Sequence, residues 1–274
     1  MNLSIAIPDS LLVGEATKID KTKKISIIAR TCAIFRIREI FIYREGDGHR
    51  NDSTLISTLL KYLETPQFFR KKLFPKMDAL KYAGVMTPLK IPSHLVSSDL
   101  KMIKVGDVRE GLIIHYKGGK FLDIGVNQLI PYFGKAKHGV RVIIEIKTIN
   151  PKLTVKEIIK EEIKKYWGYK VKERASLISI LNEWNGKIIL TSRKGKIPTK
   201  IEIKQYVNAE KQVLVVFGSP EKGVHQILGY NIKKIQNFHV LNFFPNQATE
   251  TVRFEEALLG TLSILNFIGS NNTY

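Results

Sequence analysis

A single cysteine, Cys32, stands in 274 residues, so no intrachain disulfide can close and no thiolate pair exists for a zinc site. Histidine is scarce as well. The six present show no paired ligand spacing, and metal chemistry is not expected. Long hydrophobic runs are also missing: the apolar run Ala257 to Ile268 falls short of the roughly 20 residues that a membrane-spanning helix needs. The Met1–Leu12 start carries no basic segment ahead of an apolar core, and a cytoplasmic protein with no membrane partner is expected. No internal repeat or low-complexity tract occurs.

Acidic residues are outnumbered. Lys and Arg total 44 against 25 Asp and Glu, a formal net charge of +19, and an excess of that size attracts polyanions. A Lys- and Ile-rich composition bias accounts for part of it, but the charge is unevenly placed. Ser93 to Lys170 holds fifteen basic and eight acidic residues, whereas from His239 to Tyr274 the one basic residue is Arg253, against Glu250, Glu255 and Glu256. That placement predicts a nucleic-acid-facing region and a separate cofactor-facing end.

Hydrophobic periodicity divides the chain. Leu3–Ile7 alternates as a strand, Ile25, Ile28, Ala29, Cys32 and Arg36 repeat at helical spacing, Glu39–Tyr43 reads as a second strand, and Ser53–Leu63 as a second helix. Pro66–Pro92, with four prolines and many lysines, looks like a basic approach to a boundary. From Ser93 the pattern changes to short β-rich runs, Gly111–Tyr116, Phe121–Val126 and Gly139–Thr148, as in a small barrel. A helix over Val155–Tyr166 is expected to close it. Alternation then resumes: helix Ala175–Trp184, strands Lys187–Thr191 and Val213–Phe217, helix Glu221–Leu228, strand Phe238–Asn242 and helix Val252–Ile268. The expected architecture is an α/β domain with a mostly parallel, Rossmann-like sheet, formed by residues 1–92 and 170–274 and interrupted by a β-barrel over 93–169.

Three constellations could carry chemistry. Val213–Phe217 is apolar throughout, as in a strand buried on both faces, and runs into Gly218-Ser219-Pro220-Glu221-Lys222-Gly223. Ligands of open α/β sheets gather at such strand ends. Val224-His225 follows where a P-loop needs Lys-Ser/Thr, and the glycine triplet of a dinucleotide fingerprint is absent, which excludes both motifs. The second constellation is the polar loop Asn242–Thr251 before an apolar final helix, with Thr251 as candidate N-cap. The third is Arg30, which shares a helix face with Ser26 and Lys23; it is either a solvated side chain or a cation fixed beside a substrate.

Together and in this order, these pieces resemble the SPOUT class of RNA methyltransferases. Arg30-Thr31-Cys32-Ala33-Ile34-Phe35 is similar to the first motif of the class, Val215–Gly223 to the second, and Asn242–Phe267 to the third. Ser4–Ser10, Ile28-Ala29-Arg30 and Thr249–Arg253 are similar to an archaeal and eukaryotic subfamily that carries an inserted OB-like barrel. The resemblance implies a C-terminal trefoil knot, a homodimer and bound S-adenosylmethionine. It implies cofactor contacts from Thr191, from Phe217, Gly218 and Ser219, and from Leu241, Asn242, Pro245, Gln247, Thr249 and Thr251. Arg30 would face the substrate and Glu221 would flank the pocket. Where ribose-methylating members carry an Asn-x-Gly pair and a Ser-Leu-Asn, this chain has Lys24 and Ser26, and Thr249-Glu250-Thr251. Methylation of a base is therefore expected, with uridine N3 of ribosomal RNA as the leading acceptor. A ring nitrogen must lose its proton as the methyl arrives, and Arg30 and Glu250 are the candidates to assist.

RNA is the expected partner of the barrel, through Lys101, Lys104, Lys117, Lys120, Lys135 and Lys137, with Tyr116, Phe121, Tyr132 and Phe133 as stacking surfaces or as barrel core. The competing reading is a non-catalytic RNA-binding or ribosome-assembly factor on the same scaffold.

Overall fold

A computed structural model of the chain describes residues 2–94, 96–207 and 212–269. The opening alternation forms β1 (Leu3–Pro8), and Thr17, whose hydroxyl accepts the Asp20 N–H at 3.1 Å, caps α1 (Lys18–Ile34). Next come β2 (Glu39–Tyr43), α2 (Arg50–Glu64) and the short α3 (Gln67–Leu73). Five strands follow: β3 (Val108–Tyr116), β4 (Gly119–Asp123), β5 (Leu129–Pro131), β6 (Arg141–Thr148) and β7 (Thr154–Ile158). The remainder alternates as β8 (Lys170–Arg174), α4 (Leu177–Glu183), β9 (Lys187–Lys196), α5 (Lys200–Val207), β10 (Val213–Val216), α6 (Val224–Leu228), β11 (Phe238–Leu241) and α7 (Phe254–Gly269).

The chain divides into two compact units, one of Met1–Glu64, Asp78–Pro88 and Tyr169–Tyr274, the other of Thr65–Met77 and Leu89–Gly168. In the first, six strands form a sheet ordered β11-β9-β10-β1-β2-β8 in which every neighbouring pair is parallel. Parallel strands covered on both faces need side chains that can be buried in both directions. β1 and β10 meet that demand, with every residue buried. Ala6, Tyr43, Leu190, Leu214 and Val216 face a core shared with Leu177 and Leu181 of α4 and Val224 and Leu228 of α6. The alternate residues Ile5, Ile42 and Val215 turn to the opposite face, and α1 packs against both α2 and α7.

The second unit is an antiparallel five-stranded sheet ordered β5-β4-β3-β6-β7. Ile113, Leu122, Ile130, Val142, Ile144 and Ile146 form its core. The buried Glu110 carboxylate accepts the Trp167 indole N–H at 2.7 Å and pairs with Arg141 at 3.1 Å.

Three differences from the sequence expectation have local causes. No helix spans Val155–Tyr166; Ile158, Glu157, Lys156 and Val155 pair with Ile143–Ile146 of β6, and the sheet overrides the helical preference of Lys and Glu. The unit boundary does not fall at residue 92. Phe68 lies against Gly125, Lys72 pairs with Asp123 and Thr65 meets Arg141, which holds Thr65–Met77 in the second unit. Lys18 binds Asp78, and the Ser26 hydroxyl accepts the Thr87 N–H at 2.9 Å, which keeps Asp78–Pro88 in the first. Finally, α7 starts at Phe254, where the Arg253 N–H donates to Glu256 at 2.9 Å, so Thr251 is a loop residue and not the cap.

Candidate active site

Because β11, β9, β10 and β1 are parallel neighbours, the chain leaves all four at one edge of the sheet, where ligands of such folds collect. A cleft of about 1020 Å³ opens there, within the first unit. Its walls are tied to one another by hydrogen bonds.

Midway along β9, which continues past the expected end at Thr191 to Lys196, the Thr191 hydroxyl donates to the Val216 carbonyl at 2.9 Å and fastens the strand to β10 where their pairing stops. Phe217 continues β10: its N–H donates to Ala6 O at 3.0 Å and its carbonyl accepts the Tyr43 hydroxyl at 2.6 Å. Burial, more than the nearby Glu45 and Asp9, pushes the Tyr43 phenol well above its usual pKa, so it stays protonated and keeps donating. Gly218 is sterically required, since a Cβ there would lie 2.8 Å from Lys222 O and 3.1 Å from the Gly223 Cα. The turn that follows closes on itself. Ser219 N–H donates to Lys222 O, Lys222 N–H to the Ser219 hydroxyl, and Gly223 N–H to the Gln226 carboxamide, each at 2.9 Å. Those donors are spent internally, so the turn is not a phosphate cradle.

Beyond β11 the loop is fixed from the β9 side. Asn242 donates to Arg193 O at 3.0 Å and accepts the Phe244 N–H at 2.9 Å, while the Arg193 guanidinium donates to Glu250 O at 2.7 Å. Gln247 adds a bond to Thr249 O at 2.9 Å. A Cβ on Gly195 would lie 2.6 Å from the Leu241 carbonyl carbon, so the two segments cross in direct contact. Phe217, Leu241, Phe243, Phe244 and Phe254 give the cleft apolar surface, and Glu221 and Glu250 give it negative charge. Thr261 of α7 also borders it, and its hydroxyl is buried without a hydrogen-bond partner. The last wall is the β1–α1 loop, Val13 to Glu15, with Lys24 of α1.

Of the residues singled out from the sequence, Thr191, Phe217, Gly218, Ser219, Glu221, Leu241, Asn242, Gln247, Glu250 and Thr251 line this one cleft. Pro245 and Thr249 belong to the same loop without lining it. Arg30 lies outside the lining, with its guanidinium donating to Pro88 O at 2.8 Å. Lys101, Lys104, Lys117, Lys120, Lys135 and Lys137 are all exposed on the second unit. There Phe133 is 96% and Tyr116 48% exposed, while Phe121 and Tyr132 are partly buried. Sequence reasoning did not assign Arg193, Glu15, Lys24 or Thr261 to the site. Lys24 left a signal: a charged residue beside Ile25 and four before Ile28, on the apolar side of a helix.

Among the described residues no group of three or more His, Cys, Asp and Glu is placed to hold a metal ion, and no helix is long and apolar enough to cross a membrane.

Comparison with known proteins adds chemistry to this geometry. A sequence model of the family described as "Putative RNA methyltransferase" matches residues 2–265. An uncharacterized protein of Halobacterium salinarum is 29% identical over 97% of this chain and 99% of its own length. The Homo sapiens protein named 28S rRNA (uridine-N(3))-methyltransferase is 27% identical over 96% of this chain and 77% of its own. Its Drosophila melanogaster namesake is also 27% identical, over 96% of this chain and 61% of its own length.

Proposed function

The chain belongs to the RNA methyltransferase family whose model spans residues 2–265, and from that premise we propose that it methylates a base of ribosomal RNA, uridine N3 first among them, using S-adenosylmethionine. The observation that carries this reading is the convergence of the second half of β9 and of the turns after β10 and β11 on a single cleft. The acceptor follows the named relatives, which are 28S rRNA (uridine-N(3))-methyltransferases.

The cleft fits the proposed donor. Its volume is at the upper end of the roughly 300–1,000 Å³ typical of small-molecule sites. Aromatic walls beside carboxylates suit a ligand that joins an adenine ring to cationic groups, and the unpartnered Thr261 hydroxyl is a polar atom in want of a ligand. Thr191, Gly218, Ser219, Leu241, Asn242, Gln247 and Thr251 would hold it, with Pro245 and Thr249 shaping their loop. When bound, S-adenosylmethionine supplies an electrophilic methyl group on a sulfonium. The chain's own contribution is to orient, to exclude water through Phe217 and Phe254, and to place Glu250 and Glu221 at the rim where positive charge is stabilised.

We assign the second unit to RNA binding through Lys101, Lys104, Lys117, Lys120, Lys135 and Lys137, and we read it as the OB-like barrel of a SPOUT enzyme whose C-terminal segment is knotted. A cytoplasmic homodimer completes the proposal. Its support is the exposed Ile27 and Ile34 on α1 and Leu259 and Phe267 on α7, apolar side chains of the kind that interfaces cover. In such a dimer Arg30 would serve the cleft of the second copy.

Two measurements test this function. Calorimetry should give saturable binding of S-adenosylmethionine, and mapping of methylated positions in ribosomal RNA with and without the protein should reveal one dependent base. Absence of both would leave a non-catalytic RNA-binding protein. Arg30→Ala should cut methyl transfer by about a hundredfold to a thousandfold with donor affinity little changed; equal loss of both would remove Arg30 from the acceptor side.

A further inference from the structure

Of the described charged side chains that line the cleft, Lys24 is the one that is buried. An unpaired ammonium is strongly unfavourable in such a position, and Lys24 is paired twice. Its Nζ donates to Glu15 Oε1 at 3.1 Å and lies 3.4 Å from Glu255 Oε2. Glu15 stands on the β1–α1 loop and Glu255 in the first turn of α7, so the ammonium is held from two sides.

An ammonium has three N–H directions. One is spent on Glu15 Oε1, while Glu255 Oε2 attracts the ammonium from 3.4 Å without accepting a hydrogen bond, so N–H capacity remains for the cleft that the side chain lines. Glu15 also lines the cleft, and its second oxygen, Oε2, carries no hydrogen bond among the described residues. A fixed donor thus sits beside an available acceptor on the cleft wall. That arrangement complements an O=C–N–H edge. A pyrimidine with an imide presents such an edge, whereas cytosine offers no ring N–H at the same place.

We propose that Lys24 and Glu15 recognise the imide edge of the acceptor base and assist its ionisation. This rests on the methyltransferase reading above. Lys24 donates to the carbonyl oxygen next to the reacting nitrogen, and Glu15 takes the nitrogen's proton. The electron pair left on nitrogen forms the new N–C bond as the donor's S–C bond breaks, and the sulfur keeps that second pair. The products are a neutral N-methylated base, a neutral thioether and one proton on Glu15, which passes to water.

The other charged groups around the cleft are exposed and screened by solvent. They are Arg193 and Lys194 in the second half of β9, Glu221, Lys222 and His225 after β10, and Glu250 and Arg253 before α7. None is buried against the Lys24 ammonium, whose ion partners are Glu15 and Glu255.

The test uses the full chain, tritiated S-adenosylmethionine and ribosomal RNA from cells lacking the protein. Lys24→Met should lower kcat by about a hundredfold to a thousandfold, the usual loss when one donor to a developing anion is removed. Its donor dissociation constant should stay within about threefold of wild type. Above pH 7 its rate should rise about tenfold per pH unit while the acceptor must ionise unaided, against a flatter wild-type profile. Lys24→Arg should recover part of the rate, and Glu15→Gln should lose about tenfold and acquire the steeper pH profile. A Lys24→Met protein with wild-type rate, or one whose donor affinity falls as far as its rate while its pH profile stays wild-type, overturns the proposal. If Lys24→Met does not fold, an unchanged rate and pH profile in Glu15→Gln does the same. A wild-type protein that neither binds the donor nor labels the RNA overturns the methyltransferase reading and this inference together; a working wild type with silent variants overturns the inference alone.

Discussion

The cleft of the first unit and the basic face of the second differ in how they handle charge. The cleft mixes signs, with Glu15, Glu221 and Glu250 among Lys24, Arg193 and Arg253, and its Lys24, Glu15 and Arg193 side chains are tied to one another or to a backbone carbonyl. The basic face has one sign. Residues 115–122 and 131–140 contain Lys117, Lys120, Lys135 and Lys137 with His115 and His138, and no Asp or Glu. Lys117, Lys135 and Lys137 make no ion pair among the described residues; Lys117 rests over the Tyr116 ring at 5.4 Å. Fixed, mixed charges select a small ligand by orientation. Mobile, like charges hold a polyanion without choosing its sequence.

The largest effect should come from breaking the fixed side. Gly218→Ala puts a Cβ 2.8 Å from Lys222 O and 3.1 Å from the Gly223 Cα, and both are backbone atoms of a turn already closed by its own hydrogen bonds. Overpacking of this kind costs about 1–3 kcal/mol when the surroundings must shift. The shift falls on the cleft wall, so donor affinity measured by calorimetry should drop about tenfold to a hundredfold, since about 1.4 kcal/mol is tenfold. RNA affinity at fixed salt should be unchanged. A parallel fall in RNA affinity would mean that the two regions share a binding function.

The converse change should be smaller and should appear in a different measurement. Replacing Lys117, Lys120, Lys135 and Lys137 with Ala removes counterion release, and the slope of log affinity against log salt should flatten by about 0.7 for each phosphate no longer neutralised. Donor binding should stay at the wild-type value. An unchanged salt slope would move RNA binding off the second unit.

The same contrast governs what could be read from the sequence. β2 and β10 and the turns that follow β10 and β11 are legible because their signals are local: an apolar run and a closing turn residue. Most of the cofactor-loop residues named from those turns line the cleft. β7 was not legible, because Val155-Lys156-Glu157-Ile158 favours a helix in isolation and becomes a strand only against β6. α5 was missed although its start is marked. Thr199 and Glu202 form a reciprocal capping box, with the Thr199 N–H donating to the carboxylate at 2.9 Å and the Glu202 N–H to the hydroxyl at 3.2 Å. Lys24 needed the fold itself, since what makes it a site residue is Glu255, brought to it from the far end of the sequence.

The smallest expected effect tests whether the cleft's unsatisfied atom is there for a ligand. Thr261 is fully buried on α7 and its hydroxyl has no hydrogen-bond partner, although a helical threonine can usually bond back to the preceding turn. An unsatisfied buried hydroxyl costs about 1–3 kcal/mol. Thr261→Val keeps the shape and removes the hydroxyl, so the ligand-free protein should gain about 1 kcal/mol, seen as a Tm rise of about 2–4 °C. If the hydroxyl serves the donor, the same variant should bind S-adenosylmethionine about threefold to tenfold more weakly, the worth of one neutral hydrogen bond. The two shifts have opposite signs, which separates a ligand contact from a packing defect: a defect would raise Tm and leave affinity alone. Higher Tm with lower affinity would mark Thr261 as a group held unsatisfied in the empty cleft and satisfied in the filled one.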